Sequence, residues 1–433
     1  MKKYLSFVFV LFLISCTNLE EFSAGKLEET RKEVNQTRRS FKEALEIAKK
    51  SIGLFSPETR AENERKIDLN ETKYILSDIQ SRNGVKDTLM YVFNFDNNKG
   101  FSVISANKGT EPLLALTEQG FYENGITEVE VPAFGLFMDM AENYVASTCG
   151  FTLPEIDMDV PMEIKQVDDT IEVVRIAPKV STRWGQTGCE ATYTPNGYSG
   201  CSNTAMAQIM SYFCFPSEIE ITYPNASISS LLLNWFSMKF HNVSHNKQTC
   251  TASSSAHDAI AHLHRELGNL NNSEYLNEGT STNTNNVRES FMNLGYTVST
   301  IRDYGDENIH SLLANDKLLY IRGSRIKEIK EGNDTIYSGH GWVLDGYLKH
   351  KILMTDWVRK VGETEWTLYM KYEPYYTEYY HMNWGWDGNC NGFFQAGVFN
   401  SCRVLENDNI TGSFDNNINK DYRYKVRYFS VTK

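Results

Sequence analysis

The sequence predicts an α+β fold in two unequal units, a smaller one over residues 40–152 and a larger one over residues 181–433. Three observations carry this expectation. Within the first unit a 3.6-residue apolar period gives way to strand patterns of period two. An acidic segment interrupted by Pro154, Pro161 and Pro178 follows it. Beyond that segment helical patterns come first and strand patterns last, the segregated order of α+β folds.

The elements follow in order. Lys2 and Lys3 precede an almost wholly apolar run over residues 4–14. That run is too short to span a bilayer but suits the core of a signal peptide. It ends in Leu13-Ile14-Ser15-Cys16, which is similar to the lipobox of bacterial lipoproteins, where the cysteine is acylated. The expectation is an exported chain anchored to a membrane by lipid on Cys16, in the periplasm or at the cell surface. Residues 1–16 would be the signal and 17–39 a polar tether. An ordinary signal peptide, with Cys16 incidental, is the alternative. No later segment has 18 consecutive apolar residues, so lipid would be the only anchor.

Phe41, Leu45, Ala48 and Ile52 share one helical face. Residues 56–72 are polar and read as a loop. Strand patterns fill residues 73–122, with a hairpin signal where residues 91–95 and 101–105 flank Asp96-Asn97-Asn98-Lys99-Gly100. A second helix is expected over 133–147. Residues 153–180 read as an exposed linker and a site for proteolytic activation. In the larger unit, residues 204–213 and 256–268 read as helices, and 318–323, 341–348, 351–357 and 366–372 as strands.

Composition narrows the function. Hydrophobic residues make up 41% of the chain, enough for a large core, so wholesale disorder is excluded. A net charge of −12 argues against nucleic acid as a main partner. No C-x-x-C pair or H-E-x-x-H helix occurs, so no metal or cofactor is expected. An exported chain with eight cysteines is free to form disulfides, whose pairing stays open.

Four segments carry chemistry. In the first, Gly197-Tyr198-Ser199-Gly200 delivers Cys201 to the start of a helix whose buried face is marked by Ala205, Ile209 and Phe213. A cysteine there feels the positive end of the helix dipole, which favours the thiolate a nucleophile needs. The bland alternative is a structural or disulfide cysteine. In the second, Ser338-Gly339-His340 enters an apolar strand 139 positions later, which makes His340 a candidate base. The third, His381-Met382-Asn383-Trp384-Gly385-Trp386, places an amide beside an indole. Asn383 could accept the far ring N–H of a catalytic histidine and Trp384 could shield that bond. His381 is the rival base, although a structural role suits it better. In the fourth, Gln186 lies 15 residues before Cys201 and could donate to an oxyanion beside the Cys201 backbone N–H.

Taken together these segments resemble the streptopain family of bacterial cysteine peptidases. The resemblance rests on W-G-Q at 184–186, G-C-x-x-T-A-M-A-Q at 200–208, G-H-G-W-V-L-D-G-Y at 339–347 and N-W-G-W-D-G at 383–388, all in family order. The smaller unit looks like that family's propeptide, so the resemblance runs from about residue 40 to the C-terminus. It implies a papain-like peptidase domain, with a helical part and an antiparallel β part, preceded by a small α+β propeptide that inhibits it. The roles it implies are Cys201 as nucleophile, His340 as general acid and base, Gln186 in the oxyanion hole, Asn383 orienting His340 and Trp384 covering that contact. Substrate contacts would come from Gly279, Thr280, Ser281 and Thr282, with Gly339. Two features depart from the family: Ser202-Asn203 stand where V-A-T-A is usual, and the substrate loop reads G-T-S-T rather than G-S-G-A. Protein or peptide substrates and the chain's own propeptide are the expected partners. A catalytically silent surface binding protein and a transglutaminase- or amidase-like enzyme are the competing readings.

Overall fold

The computed structural model describes residues 38–55, 65–80, 86–123, 131–147, 162–240, 255–277, 279–305, 309–328, 334–399 and 422–433. Cys16, the leader and nearly all of the tether lie outside them. Helix α1 (Phe41–Phe55) opens on a reciprocal cap. The Glu43 N–H donates to Ser40 Oγ at 3.3 Å, and the Ser40 N–H donates to the Glu43 carboxylate at 2.6 Å. Strands β1 (Lys73–Gln80), β2 (Lys86–Asn94), β3 (Phe101–Ser105) and β4 (Leu113–Thr117) then form an antiparallel meander, with β2 and β3 as the expected hairpin. Helix α2 (Pro132–Ser147) begins on Pro132, whose missing N–H costs nothing in a first helical turn.

Period-two alternation sorts the meander's side chains to two helices. Val92 and Val103 pack with Phe134 and Phe137 of α2. Phe93 and Ile104 pack with Ala44 and Ala48 of α1. Cover on both faces is why β3 and β4 are buried at every position. Burying Phe134 and Phe137 completely contributes about 1.5–3 kcal/mol each.

The larger unit starts with strand β5 (Met162–Ile176), helix α3 (Cys201–Phe213), the hairpin of β6 (Glu218–Glu220) and β7 (Ser230–Leu232), and helices α4 (Trp235–Phe240) and α5 (Ser255–Leu270). The hairpin of β8 (Glu274–Leu276) and β9 (Gly279–Ser281) and helix α6 (Thr284–Asn293) come next. Short strands β10 (Thr297–Val298) and β11 (Arg302–Asp303) and helix α7 (Ile309–Ala314) lead into the main strands. These are β12 (Leu318–Glu328), β13 (Asp334–Lys360), β14 (Thr367–Lys371), β15 (Tyr375–Asn383), β16 (Gly392–Gln395) and β17 (Tyr422–Thr432). Helices α3 and α5 cover one sheet face through Met206, Ile209, Leu263 and Leu267, packed with Tyr320, Val343 and Phe429. The α+β class holds, with helices before strands as expected.

One sheet runs through both units in the order β1-β2-β3-β4-β16-β15-β13-β12-β17-β10. The join is the antiparallel pairing of β4 with β16, where Leu116 stands opposite Phe393. Strand β13 is its spine. β12 takes one edge up to Leu344 and β5 takes that edge from Tyr347 onward, while β15 and then β14 line the other.

Two expectations need correction. Residues 162–176 of the expected linker are not an open segment but strand β5, paired with β13 from Tyr347 to Lys360. The composition is polar because β5 is largely exposed, Ile171 and Val173 included. What makes it a strand is its partner, which no local pattern reports. Residues 341–348 and 351–357 are one strand, not two. His350 at the supposed break is buried against Tyr379 and stays in register with β15, the irregularity there being confined to the pairing with β5.

Candidate active site

Gly200 has φ +92°, a conformation that favours glycine, and it turns the chain directly into α3. Its carbonyl accepts from the Thr204 N–H at 3.0 Å, so Cys201 is the first helical residue. The turn is held from below: the Ser199 N–H donates to the Gln186 carbonyl at 2.8 Å, and Asn203 Nδ2 donates to the Ser199 carbonyl at 2.7 Å. Cys201 is partly exposed and not disulfide-bonded, whereas Cys189 is in a disulfide.

Strand β13 meets this turn along its edge. The Gly341 N–H donates to Cys201 Sγ at 3.3 Å. β15 stops at Asn383, opposite Val343, so the cysteine sulfur takes the next place along the edge of β13. A side chain at 341 would collide with Tyr320 Oη and Ser202 Oγ, so only glycine lets the strand come this close. Ser202, one of the departures from the streptopain pattern, is buried and accepts from Tyr320 Oη at 2.8 Å. That bond ties the first turn of α3 to β12.

Alternation fixes where His340 sits. Gly341 and Val343 face α3, and Asn383 shares the face of its cross-strand partner Val343. Trp342 and Leu344 face the opposite core, which includes Phe134, Leu136 and Phe137 of α2. His340 belongs to this second set. It pairs with Gly323, whose missing side chain would touch Leu136 and Trp342. The strand therefore brings the His340 backbone to the thiol, while alternation sets its Cβ on the face covered by the smaller unit.

The remaining predicted residues divide. Gln186 is buried, and among the described residues its Nε2 has no hydrogen-bond acceptor, as suits a donor kept for an oxyanion. Asn383 Nδ2 donates to the Thr182 carbonyl at 2.9 Å and Oδ1 accepts from the Gly385 N–H at 3.2 Å, so both ends of its amide are engaged. Trp384 is fully buried, donates Nε1–H to the Cys390 carbonyl at 2.9 Å and packs on Trp342 at 5.1 Å between ring centroids. Two of the sequence motifs thus meet as one aromatic contact. His381 lies apart, opposite Gly346 and 2.6 Å from Asp345.

Gly279, Thr280, Ser281 and Thr282 wall the Cys201 turn. Thr280 Oγ1 donates to the Tyr198 carbonyl at 2.7 Å, and Asn196 Nδ2 donates to the Gly279 carbonyl at 2.9 Å. Asn203, the second departure, is fully buried and joins this wall: Asn271 donates to its Oδ1 at 2.7 Å, and its Nδ2 donates to Ser273 Oγ at 3.1 Å. Ser273 Oγ in turn lies 2.8 Å from Thr282 Oγ1. Sequence reading missed Tyr320, Asn271, Ser273 and Arg322, which stand in ordinary strand or loop contexts with no spacing to flag them.

Two acids lie beside Gly185, the neighbour of Gln186. Burial, with Asp387 nearby, pushes Glu190 up to about 7, although its carboxylate accepts from the Gly185 N–H at 3.2 Å. Burial likewise raises Asp387 to about 7. Among the described residues no cluster of metal-ligating side chains occurs. The arrangement suits acyl transfer to a cysteine: a thiol at a helix start, a spare amide donor on Gln186, whose carbonyl props that turn, and a histidine one residue from its contact with the strand.

Comparison with known proteins adds two family matches. The model of the peptidase C10 family matches residues 183–394, and that of the Spi protease inhibitor matches residues 31–144. Among solved structures the chain is similar to a fragment of Prevotella intermedia prointerpain A carrying a cysteine-to-alanine change. Identity is 18%, coverage is 83% of this chain and 98% of that chain, and the TM-score is 0.47. No curated protein matched.

Proposed function

We propose, for a chain that belongs to the peptidase C10 family and carries a Spi inhibitor domain before its peptidase domain, that Cys201 and His340 hydrolyse peptide bonds once that domain is removed. The Cys201 thiolate attacks the scissile carbonyl. Gln186 Nε2–H and the Cys201 backbone N–H stabilise the oxyanion. The tetrahedral intermediate expels the amine, which takes its proton from His340, and leaves a thioester on Cys201. Water, deprotonated by His340, then hydrolyses the thioester and restores the thiolate. Asn383 takes the far ring nitrogen of His340 in the active arrangement, beneath Trp384.

The observation that carries this reading is the 3.3 Å contact from the Gly341 N–H to Cys201 Sγ, which joins the cysteine helix to the histidine strand. The placement of His340 on the face covered by α2 supports latency: the imidazole must change faces before it can serve Cys201, because catalytic contacts of a latent enzyme form on rearrangement. The test is casein hydrolysis by the activated chain with and without a thiol-alkylating reagent. New peptide termini that disappear on alkylation support the reading. Absence of cleavage leaves a silent binding protein, and amide ligation products would mark a transferase.

The leader supports export and acylation of Cys16, with the enzyme held at a membrane surface. Cys16→Ala should then move the protein from the membrane pellet to the soluble fraction. An unchanged distribution would refute the anchor.

A further inference from the structure

We infer that Arg322 makes this site selective for substrates with a carboxylate side chain beside the scissile bond, an inference that rests on the peptidase reading above. Arg322 is on β12, two residues from Tyr320 and directly opposite Gly341, so it shares the sheet face that meets the first turn of α3. Its Nη1 donates to the Thr282 carbonyl at 3.1 Å. Its Nη2 lies 2.6 Å from where a side chain on Gly339 would begin. The guanidinium therefore spans from the 279–282 wall to the residue before His340, and glycine at 339 leaves it the space.

Among the described residues the partners of the guanidinium, the Thr282 carbonyl and the Tyr320 hydroxyl, are both uncharged. Arg38, Arg175, Arg359 and Arg427 each pair with a carboxylate. Arg322 is half-buried, and among the described residues no carboxylate pairs with it. A cation taken partly out of water without a counter-charge is costly to keep, and an amide or a neutral side chain would serve the Thr282 carbonyl as well. The facing wall offers hydroxyls and backbone from Gly279, Thr280, Ser281 and Thr282 but no charge. A carboxylate arriving with substrate supplies the missing partner, and the planar fork of Arg322 can receive it through two parallel N–H···O bonds.

The test uses the activated enzyme and matched peptides that differ only in Glu against Gln at each of the three positions before and two after the scissile bond. At one position the Glu peptide should have a kcat/KM about tenfold higher at low salt, with the advantage shrinking as salt is added. Arg322→Lys should keep the sign of that preference, and Arg322→Glu should reverse it in favour of the Gln peptide, a change that a merely structural arginine would not produce. Equal cleavage of Glu and Gln peptides by the wild type at every position overturns the inference, whether or not the variants fold. If the wild type cleaves none of the peptides, the peptidase reading itself has failed.

Discussion

Glu118 Oε1 lies 3.4 Å from Nε2 of His381, a contact between the end of the inhibitor domain's last strand and a buried residue of the peptidase sheet. Asp345 closes the other side of the ring at 2.6 Å. Burial opposes charge on His381, yet Asp345 and Glu118 raise it well above the usual imidazole value. Burial also opposes ionisation of Glu118, but His381, with Arg183 and Arg65 behind it, holds the carboxyl well below its usual range. A depressed acid contributes docking energy above its free value and loses it as pH falls through the bound one. The full-length chain should therefore mature faster in acid. At pH 7, Glu118→Gln should speed maturation about five- to tenfold, roughly 1–1.4 kcal/mol for a partly exposed charge on a buried partner. Gel-based conversion rates across pH measure this, and identical wild-type and Glu118→Gln rates at every pH would dismiss the contact as a latch.

Cys201→Ser should abolish hydrolysis and leave the melting temperature near wild type, because the side chain is partly exposed and nearly isosteric. His340→Ala should cost most of the activity of the matured enzyme. His381→Ala should instead lower stability, since it leaves Asp345 as an uncompensated buried charge. Peptide assays beside thermal melts separate the two histidines, and the reverse ranking would make His381 the base.

Gln186→Ala should reduce kcat by about 10²–10³ with little change in KM, the signature of a donor used only in the transition state. A change confined to KM would remove Gln186 from the oxyanion hole.

Glu190 and Asp387 are both raised to about 7 by burial. Such acids bind more protons in the folded state than in the unfolded state. Stability should thus fall as pH rises from the free carboxyl value through about 7 and level off above. Thermal melts between pH 5 and 8 would record this, and Glu190→Gln should flatten the slope.

N-terminal sequencing of the mature enzyme should place the activation cut before Met162. Strand β5 is paired along its length and the Val180 N–H is held by Asp345 at 2.7 Å, so the chain from 162 to 180 offers a protease little free backbone. A mature N-terminus inside 163–176 would mean that β5 opens during activation.

Much of the site was legible because its signals are local. A glycine turn before an apolar helical period put Cys201 at a helix start, and a glycine before an apolar run put His340 in a strand, as the structure has them. The hairpin of β2 and β3 was announced by its turn residues. What stayed hidden depends on partners far along the chain. β5 is a strand only because β13 extends beyond β12 to receive it. Tyr320 and Arg322 gain their positions only when β12 lies against Gly339 and Gly341. The face on which His340 sits follows from register, which a one-residue slip would reverse and which composition does not encode.

The joint between β4 and β16 has a consequence for the enzyme after maturation. While the inhibitor domain is present, Gly392, Phe393 and Phe394 lie inside a continuous sheet. Once it departs, β16 becomes a border with unpaired amide and carbonyl groups and a newly wetted Phe393, the kind of edge that recruits another strand. Maturation therefore creates adhesive backbone at the same time as it uncovers the catalytic face. The released domain is the natural first occupant of that border, and a second copy of the enzyme or an extended polypeptide can compete for it at high concentration.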